Sequence, residues 1–102
     1  MSKIAMIMKW DGISLEQYEE VRQIVKWEHD IPAGAIFHVA THDGSALRVV
    51  DVWESPEQFN RFVETRLMPG VMSTGITTQP QVEIYPAYAI FAPAFEGKLQ
   101  TA

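Results

Sequence analysis

The chain has no cysteine among its 102 residues. This excludes disulfides, thiolate chemistry and cysteine-ligated zinc or iron–sulfur sites, and it permits the cytoplasmic location that we take as the default. Because no run of about 18 apolar residues occurs, the sequence predicts no membrane-spanning helix. The first ten residues lack a long apolar core and a small-residue cleavage site. They are interpreted as a first strand and not as a signal peptide.

Positive charge is also sparse, with 8 Lys and Arg against 13 Asp and Glu and a formal net charge of −5. The basic residues are scattered, so nucleic acid is not an expected partner. The six glycines are isolated, which excludes a glycine-rich phosphate loop as a sequence-based prediction. The three histidines, His29, His38 and His42, lack the close spacing of metal ligands. We therefore expect no metal site and no cofactor.

The most informative part of what is present is residues 48–63, a strand that leads directly into a capped helix. Three valines and Trp53 favour a strand, and apolar residues at both odd and even positions predict burial on both of its faces. Ser55 is the expected N-cap, Pro56 occupies the first helical position, and Gln58 stands where a capping-box partner belongs.

The same signals place the other elements. Strands are predicted at about residues 4–10, 36–41, 47–53 and 82–85, with helices from a Ser14 cap to about residue 25 and from Ser55 to about Leu67. Asp43-Gly44 predicts the hairpin turn, and Pro69-Gly70 is expected to end the second helix. The order β-α-β-β-α-β predicts an α+β, ferredoxin-like fold, a four-stranded antiparallel sheet with two helices on one face.

Two helices leave the other sheet face uncovered, although the first and third strands are apolar on both sides. Since a large apolar face in water favours association, we expect a homodimer in which two sheets close over a shared interior, a dimeric α+β barrel. Residues 1–86 would form the ferredoxin-like domain. Residues 87–102 begin with an apolar segment, and we expect this C-terminal tail to dock on its own domain or on the partner.

Residues 31–40, the Asp-Gly turn and residues 48–67 together resemble small bacterial proteins of the dimeric α+β-barrel superfamily, which are similar to antibiotic-biosynthesis monooxygenase (ABM) domains. The resemblance extends from residue 4 to residue 85. It implies a homodimer with a barrel-like interior and, in some relatives, cofactor-free oxidation of aromatic polyketides or breakdown of haem. The catalytic residues of the characterised monooxygenases do not map securely onto this chain, so none is assigned from them.

One pair of residues is a candidate for acid–base chemistry. With a two-residue turn at Asp43-Gly44, His38 and Asp51 become diagonal neighbours on one sheet face, about 7–8 Å apart at Cα. A carboxylate that binds one ring nitrogen would fix the tautomer and leave the other nitrogen as a base. Trp53 shares this face and would bind substrate. If the face points into the dimer interior, these residues form a pocket; if it points towards the helices, they form a buried structural pair.

Arg66 is the second unusual residue, because it follows Phe62 by four positions and so lies on the inward side of the second helix. An arginine in a last helical turn can complement the helix dipole and cover apolar surface with its stem. The alternative is that Arg66 is a charge partner for Asp51, or that it binds substrate through an anionic group of the ligand.

Three functions remain open from the sequence. The first is a pocketed dimer that binds a small aromatic or polyketide-like molecule and carries out cofactor-independent oxidation or proton transfer, with His38 and Asp51 as the catalytic residues. The second is a module that binds a small apolar compound without catalysis. The third is a self-association domain with a filled interior. Exposure of His38 beside a cavity would favour the first two.

Overall fold

The elements follow each other in the predicted order in the structure, a computed structural model that describes residues 3–95. They are β1 (Ile4–Asp11), α1 (Leu15–Val25), β2 (Ala35–His42), β3 (Ala46–Trp53), α2 (Pro56–Phe62), a π-helical turn (Val63–Leu67), α3 (Met68–Ser73), β4 (Gln81–Pro86) and a 3-10 turn (Pro93–Phe95). The strand order is β2-β3-β1-β4, and all neighbours are antiparallel. This confirms the ferredoxin-like α+β fold. Across residues 3–95, no helix combines the length and the apolar character needed to cross a bilayer.

The first helix begins as its sequence predicts. The Ser14 hydroxyl accepts a hydrogen bond from the Gln17 backbone N–H, and the Gln17 side chain accepts one from the Ser14 backbone N–H. This capping box satisfies two of the N–H groups that a helix start leaves without partners. The helix buries Val21 and Val25 against the sheet. It also places Tyr18, half-buried, over β2.

The second helix does not end at Pro69-Gly70, so that prediction was wrong. A π-helical turn precedes the proline, in which the Met68 N–H donates to the Val63 carbonyl five residues earlier. The helix then continues to Ser73. A proline near the start of a helical segment is tolerated because its missing N–H needs no partner there. Gly70 is buried where a Cβ would come within 2.6 Å of a Val25 methyl, so its small size allows the close approach of α3 to α1.

The pairing register of β2 with β3 differs from the predicted register by two residues. The strands are connected by Asp43, Gly44 and Ser45, and the Asp43 side chain accepts backbone N–H bonds from Ser45 and Ala46. His38 therefore lies directly opposite Asp51, and not diagonal to it. A shift of two residues keeps every side chain on its predicted face, whereas a shift of one would have inverted them all.

The two faces of the sheet have different coverage. The inner face, towards the helices, carries the buried core residues Met6, Met8, Trp10, Leu47, Val49 and Trp53. The open face carries Ile7, Val39, Val50 and Tyr85, which are 39–53% exposed. Lys9, Arg48 and Glu83 share the open face. It is the uncovered apolar face on which the prediction of a dimer depends.

The apolar tail was predicted to dock on its domain or on a partner. Its first residue continues the fold, because the Ala87 N–H donates to the Lys3 carbonyl at 2.8 Å. Beyond that point Tyr88 and Phe91 are almost fully exposed. Residues 1, 2 and 96–102 lie outside the described part of the chain, so the prediction for the tail's end falls there. Docking of the tail remains a prediction.

Candidate functional site

His38 and Asp51 meet on the inner face of the sheet. The Nδ1 atom of His38 lies 2.7 Å from Oδ1 of Asp51. Because a carboxylate only accepts hydrogen bonds, Nδ1 carries the proton and Nε2 of the neutral ring is left as an acceptor. The Asp51 side chain is 9% exposed and the His38 side chain 34% exposed. The pair therefore joins a buried carboxylate to a ring that solvent or a ligand can reach.

Trp53 completes the surroundings of the carboxylate. Its indole N–H donates to Oδ2 of Asp51 at 3.0 Å, so each carboxylate oxygen has a donor. Trp53 is buried, and its ring packs against Phe59 and Phe62 at centroid distances of 5.6 and 5.5 Å. A buried carboxylate is costly unless it is hydrogen-bonded, and these two donors supply what Asp51 requires. Trp53 thus positions the Asp51 carboxylate, which in turn positions the His38 ring.

Tyr18 belongs to the same group, although the sequence did not single it out. It lies at helical spacing from the apolar Val21 and Val25, and its only polar signal is its hydroxyl. Its Oη lies 2.8 Å from Nε2 of His38. The two ring planes differ by 4° with centroids 6.3 Å apart, so the phenol and imidazole rings are nearly parallel. When the His38 ring is neutral, the result is a continuous chain in which Tyr18 donates to His38 and His38 donates to Asp51.

The protonation of Tyr18 is set by its environment. Desolvation by burial is the main cause that raises its pKa from 10.0 to about 12, partly opposed by the charge of Arg22. Glu19, Glu28 and Asp51 raise the pKa further, because a phenolate near these carboxylates would be repelled. The Tyr18 hydroxyl is therefore neutral at neutral pH and can act as a hydrogen-bond donor.

The segment after α1 forms one side of the site. Trp27 contacts both rings, with centroids 5.9 Å from Tyr18 and 5.4 Å from His38. Arg22 anchors this segment through hydrogen bonds of 2.6 and 2.7 Å to the two carboxylate oxygens of Glu28. Those bonds lower the pKa of Glu28, so it is ionised at neutral pH. This aromatic and charged segment lies next to His38.

A cavity of about 210 Å³ lies between the inner sheet face and the helices, beside this chain of residues. Its walls are mainly apolar and aromatic, and Tyr18, His38, Asp51 and Trp53 all contribute to them. The sequence left open whether the His38 side chain points towards the helices or away from them. It points towards the helices. This orientation does not bury the pair in a filled core, because the space between sheet and helices is open.

Arg66 lies apart from this group. Its guanidinium donates to the Val25 carbonyl at 2.9 Å, approaches Asp30 at 3.8 Å, and lies 5.5 Å from the centre of the Phe62 ring. It therefore complements the C-terminal end of α1, a neighbouring helix, and not only its own helix. None of these contacts is to Asp51, and Arg66 is not one of the residues that line the cavity, although Phe62 is. Its role in substrate binding stays a prediction.

The other two histidines are outside the cavity. Nε2 of His42 donates to the Ile13 carbonyl at 2.6 Å, and its Nδ1 accepts from the Gly44 N–H at 3.0 Å. It thus joins the hairpin to the loop before α1. His29 is exposed in the segment after α1. Within residues 3–95, no group of three or more His, Cys, Asp or Glu side chains is arranged to hold a metal ion.

Comparison with known proteins identifies the class of fold. No family model matches the chain, and no curated protein matches it in sequence. Its structure is similar to that of NE2512 from Nitrosomonas europaea, a protein of unknown function, with a TM-score of 0.70 and 15% identity over 91% of this chain and 96% of that one. It is also similar to SnoaB, a cofactor-independent oxygenase from Streptomyces nogalater, with a TM-score of 0.68 and 10% identity over 88% and 97%.

A third similar structure is a Chloroflexus aurantiacus protein classed provisionally as an antibiotic biosynthesis monooxygenase. The TM-score is 0.63 and the identity 16%, over 89% of this chain and 98% of that one. These similarities confirm the likeness to ABM-like proteins that residues 31–67 suggested. At such identities they establish the fold alone, and the chemistry must be argued from the site.

Proposed function

We propose that this protein is a homodimer that binds a small aromatic molecule in the cavity and removes a proton from it, as the first step of a cofactor-independent oxidation by O₂. The observation that carries the proposal is the Tyr18–His38–Asp51 chain in the wall of an apolar cavity. A base oriented by a carboxylate is the arrangement that proton abstraction requires. The fold shared with SnoaB, a cofactor-independent oxygenase, supports the choice of reaction.

His38 and Asp51 have separate roles in this reaction. Nε2 of His38 accepts the proton of a ring hydroxyl or an acidic ring C–H, and Asp51 stabilises the imidazolium through Nδ1. The electron-rich ring anion then reduces O₂. For a phenol with a free para C–H the products are a quinone and water: one oxygen atom becomes the second carbonyl, and the other leaves with the two hydrogens. No further reductant is needed.

Trp53 and the apolar walls have supporting roles. Trp53 keeps Asp51 in place through its N–H, and its ring forms part of the wall that a bound aromatic ring would contact. An apolar cavity strengthens the electrostatic interactions of a developing ring anion with nearby donors, because little water competes for them.

The dimer is proposed from the open face of the sheet. Ile7, Val39, Val50 and Tyr85 form an exposed apolar patch there, and Tyr88 and Phe91 of the tail are also exposed. A second copy that covers this patch would remove the apolar surface from water, at about 25 cal/mol per Å². The catalytic group lies on the opposite face, so each protomer would carry a complete site.

Oxygen uptake tests the proposed activity. Purified protein, treated with a chelator and given no cofactor, should consume O₂ with a substrate drawn from a panel of small phenols and hydroxyquinols. His38→Ala should lower the rate by about 10²- to 10⁴-fold, the usual contribution of a positioned base. His29→Ala, which changes an exposed histidine outside the cavity, is the matched control and should keep the full rate. Equal rates for the two variants would reject His38 as the base.

A non-catalytic binding protein is the second candidate. The observation that favours it is that the Tyr18 hydroxyl already occupies Nε2 of His38, so the base is engaged in the free protein. A binding protein would hold a ligand from the same panel without uptake of O₂ and without chemical change. Calorimetry on the panel members that give no oxygen uptake separates this function from the enzyme.

A further inference from the structure

The ligand can be specified further from three properties of the cavity: the group that now contacts His38, the volume, and the charges in the walls. The neutral His38 ring has a single acceptor lone pair, at Nε2, and the Tyr18 hydroxyl uses it. A ligand that is to give its proton to Nε2 must therefore replace this hydroxyl. The exchange is balanced for another hydrogen-bond donor, of which an O–H is the like-for-like replacement, since an apolar ligand would leave Nε2 without a partner.

The geometry of Tyr18 indicates what kind of O–H fits. Tyr18 presents a phenol whose plane lies within 4° of the imidazole plane and whose oxygen is 2.8 Å from Nε2. A hydroxyl on a planar ring can approach along the same line, through the aromatic surroundings that Trp27 and Tyr18 provide. The free protein thus carries, in its own Tyr18, an internal analogue of the group it would bind.

The volume limits the size of the ligand. The cavity measures about 210 Å³. An engineered protein cavity of about 150 Å³ holds one benzene molecule, whereas sites for drug-sized ligands measure about 300–1,000 Å³. One or two fused rings therefore fit, and the three or four rings of a typical polyketide do not. The aromatic or polyketide-like ligand expected from the sequence is therefore restricted to molecules of one or two rings.

The charges limit the ionic form of the ligand. Among the wall residues that the structure describes, Glu28 and Asp51 are acidic and there is no Lys or Arg. Arg22 lies outside the cavity wall and forms ion pairs with both Glu28 and Glu19. These three side chains together carry one net negative charge. An anionic ligand would be repelled and would find no cation to pair with. A neutral ligand is not repelled by these carboxylates and needs no cation as a partner.

We propose that the cavity binds a neutral phenol of one or two rings, whose hydroxyl takes the place of the Tyr18 hydroxyl at Nε2 of His38. This inference rests on the proposed function for the use of His38 as a base. Once displaced, the Tyr18 O–H is free to donate to the phenolate oxygen that proton transfer creates. Tyr18 is then a positioning residue that donates to Nε2 of His38 in the free protein and to the ligand oxygen in the complex. The negative charge of the phenolate is thereby stabilised by a hydrogen bond.

Binding measured without oxygen tests the inference separately from turnover. The probes are 2-naphthol, naphthalene, 2-naphthoate and 2-anthracenol, titrated into the full-length protein by calorimetry under nitrogen. 2-Naphthol should bind at least about tenfold more tightly than each of the other three, which lack the hydroxyl, carry a negative charge or have a third ring. Naphthalene or 2-naphthoate binding as tightly as 2-naphthol, or tighter binding of 2-anthracenol, would overturn it.

Tyr18→Phe tests the exchange itself. Without the competing hydroxyl, 2-naphthol gains a hydrogen bond that it otherwise only exchanges, so its affinity should rise about three- to tenfold. Naphthalene affinity should not change, which makes it the internal control. An unchanged or lower affinity of the variant for 2-naphthol would contradict displacement of Tyr18. If the variant does not fold, the ¹⁵N shift of Nε2 in the wild type decides, because it should respond to 2-naphthol and not to naphthalene.

The two proposals can fail separately. Selective binding of 2-naphthol with no oxygen uptake by any phenol of the panel would keep the ligand assignment and reject the oxidation. Oxygen uptake with a three-ring or carboxylated substrate, together with poor binding of 2-naphthol, would keep the oxidation and reject the ligand assignment.

Discussion

The two faces of the sheet are built from the same four strands, yet they differ in covering and in chemistry. On the inner face, Asp51 is buried and both of its oxygens accept hydrogen bonds, beside a cavity under the helices. On the open face, adjacent residues such as Val50 are exposed and apolar. Since side chains alternate along a strand, one segment can form a site on one face and an association surface on the other. Substitutions one residue apart should therefore have different consequences.

The largest expected difference is between Met6 and Ile7, neighbours on β1. Met6 is 1% exposed on the inner face, and Ile7 is 43% exposed on the open face. Met6→Ala should lower the free energy of unfolding by about 2–5 kcal/mol, because it removes a buried side chain and leaves a void. Ile7→Ala, measured in dilute protein, should cost less than about 1 kcal/mol. Urea denaturation measures both, and equal costs would contradict the assignment of the two faces.

Trp53 and Trp10 sharpen the comparison within the inner face. Both are buried and both donate an indole hydrogen bond, Trp53 to the Asp51 carboxylate and Trp10 to the Thr78 hydroxyl at 2.9 Å. Trp53→Phe should cost about 1–3 kcal/mol, because it leaves a buried carboxylate oxygen without a donor. Trp10→Phe leaves only a neutral hydroxyl and should cost less. A larger loss for Trp10→Phe in the same denaturation experiment would refute the supporting role given to Trp53.

Val50 and Ile24 test the open face as the dimer surface. The two are equally exposed, at 45% and 46%, but Ile24 lies on α1. Val50→Lys should weaken self-association at least about tenfold, about 1.4 kcal/mol, because it places a charge in an apolar interface. Ile24→Lys should leave association unchanged. Sedimentation across a range of protein concentrations measures both, and a wild type that stays monomeric throughout would end the proposal of a dimer.

The last prediction concerns the dependence of stability on high pH. The pKa of Tyr18 is raised from 10.0 to about 12 by burial. The folded protein therefore holds this proton more tightly than the unfolded chain. The resulting stabilisation is fully present below about pH 10 and is lost as the pH rises towards 12. The urea midpoint of the wild type should fall more steeply over this window than that of Tyr18→Phe, and parallel curves would refute the shift.

Much of the fold could be predicted because its signals are local. Ser14 and Ser55 cap their helices as expected, and the strands lie within one or two residues of their predicted ends. The hairpin register was wrong by two residues, since Asp43 could be assigned either to the turn or to the position before it. The helix across Pro69 was missed because the π-helical turn that accommodates the proline has no local sequence signal.

The site was predicted in part. His38 and Asp51 were expected on one face, and they are there, because the error of two residues conserved the alternation of side chains. Tyr18 was not assigned to the site, since its hydrogen bond to His38 joins α1 to β2 across 20 positions of sequence. From its place on an inward stripe, Arg66 was expected either to complement a helix dipole and cover apolar surface or to pair with Asp51 or an anionic substrate group. The stripe shows on which side of its own helix Arg66 lies. The packing of α1 against that helix decides which groups the guanidinium reaches.

The sequence by itself determined the order of elements, the caps, and the face on which each strand residue lies, because these depend on interactions within a few residues and on a period of two. Tertiary structure alone decided that the face with His38 and Asp51 lies beneath the helices, that Tyr18 donates to Nε2, and that a cavity of about 210 Å³ remains beside them. These features depend on how closely α1 approaches the sheet. The position of α1 also depends on contacts between residues far apart in the chain, such as that of Val25 with Gly70 of α3.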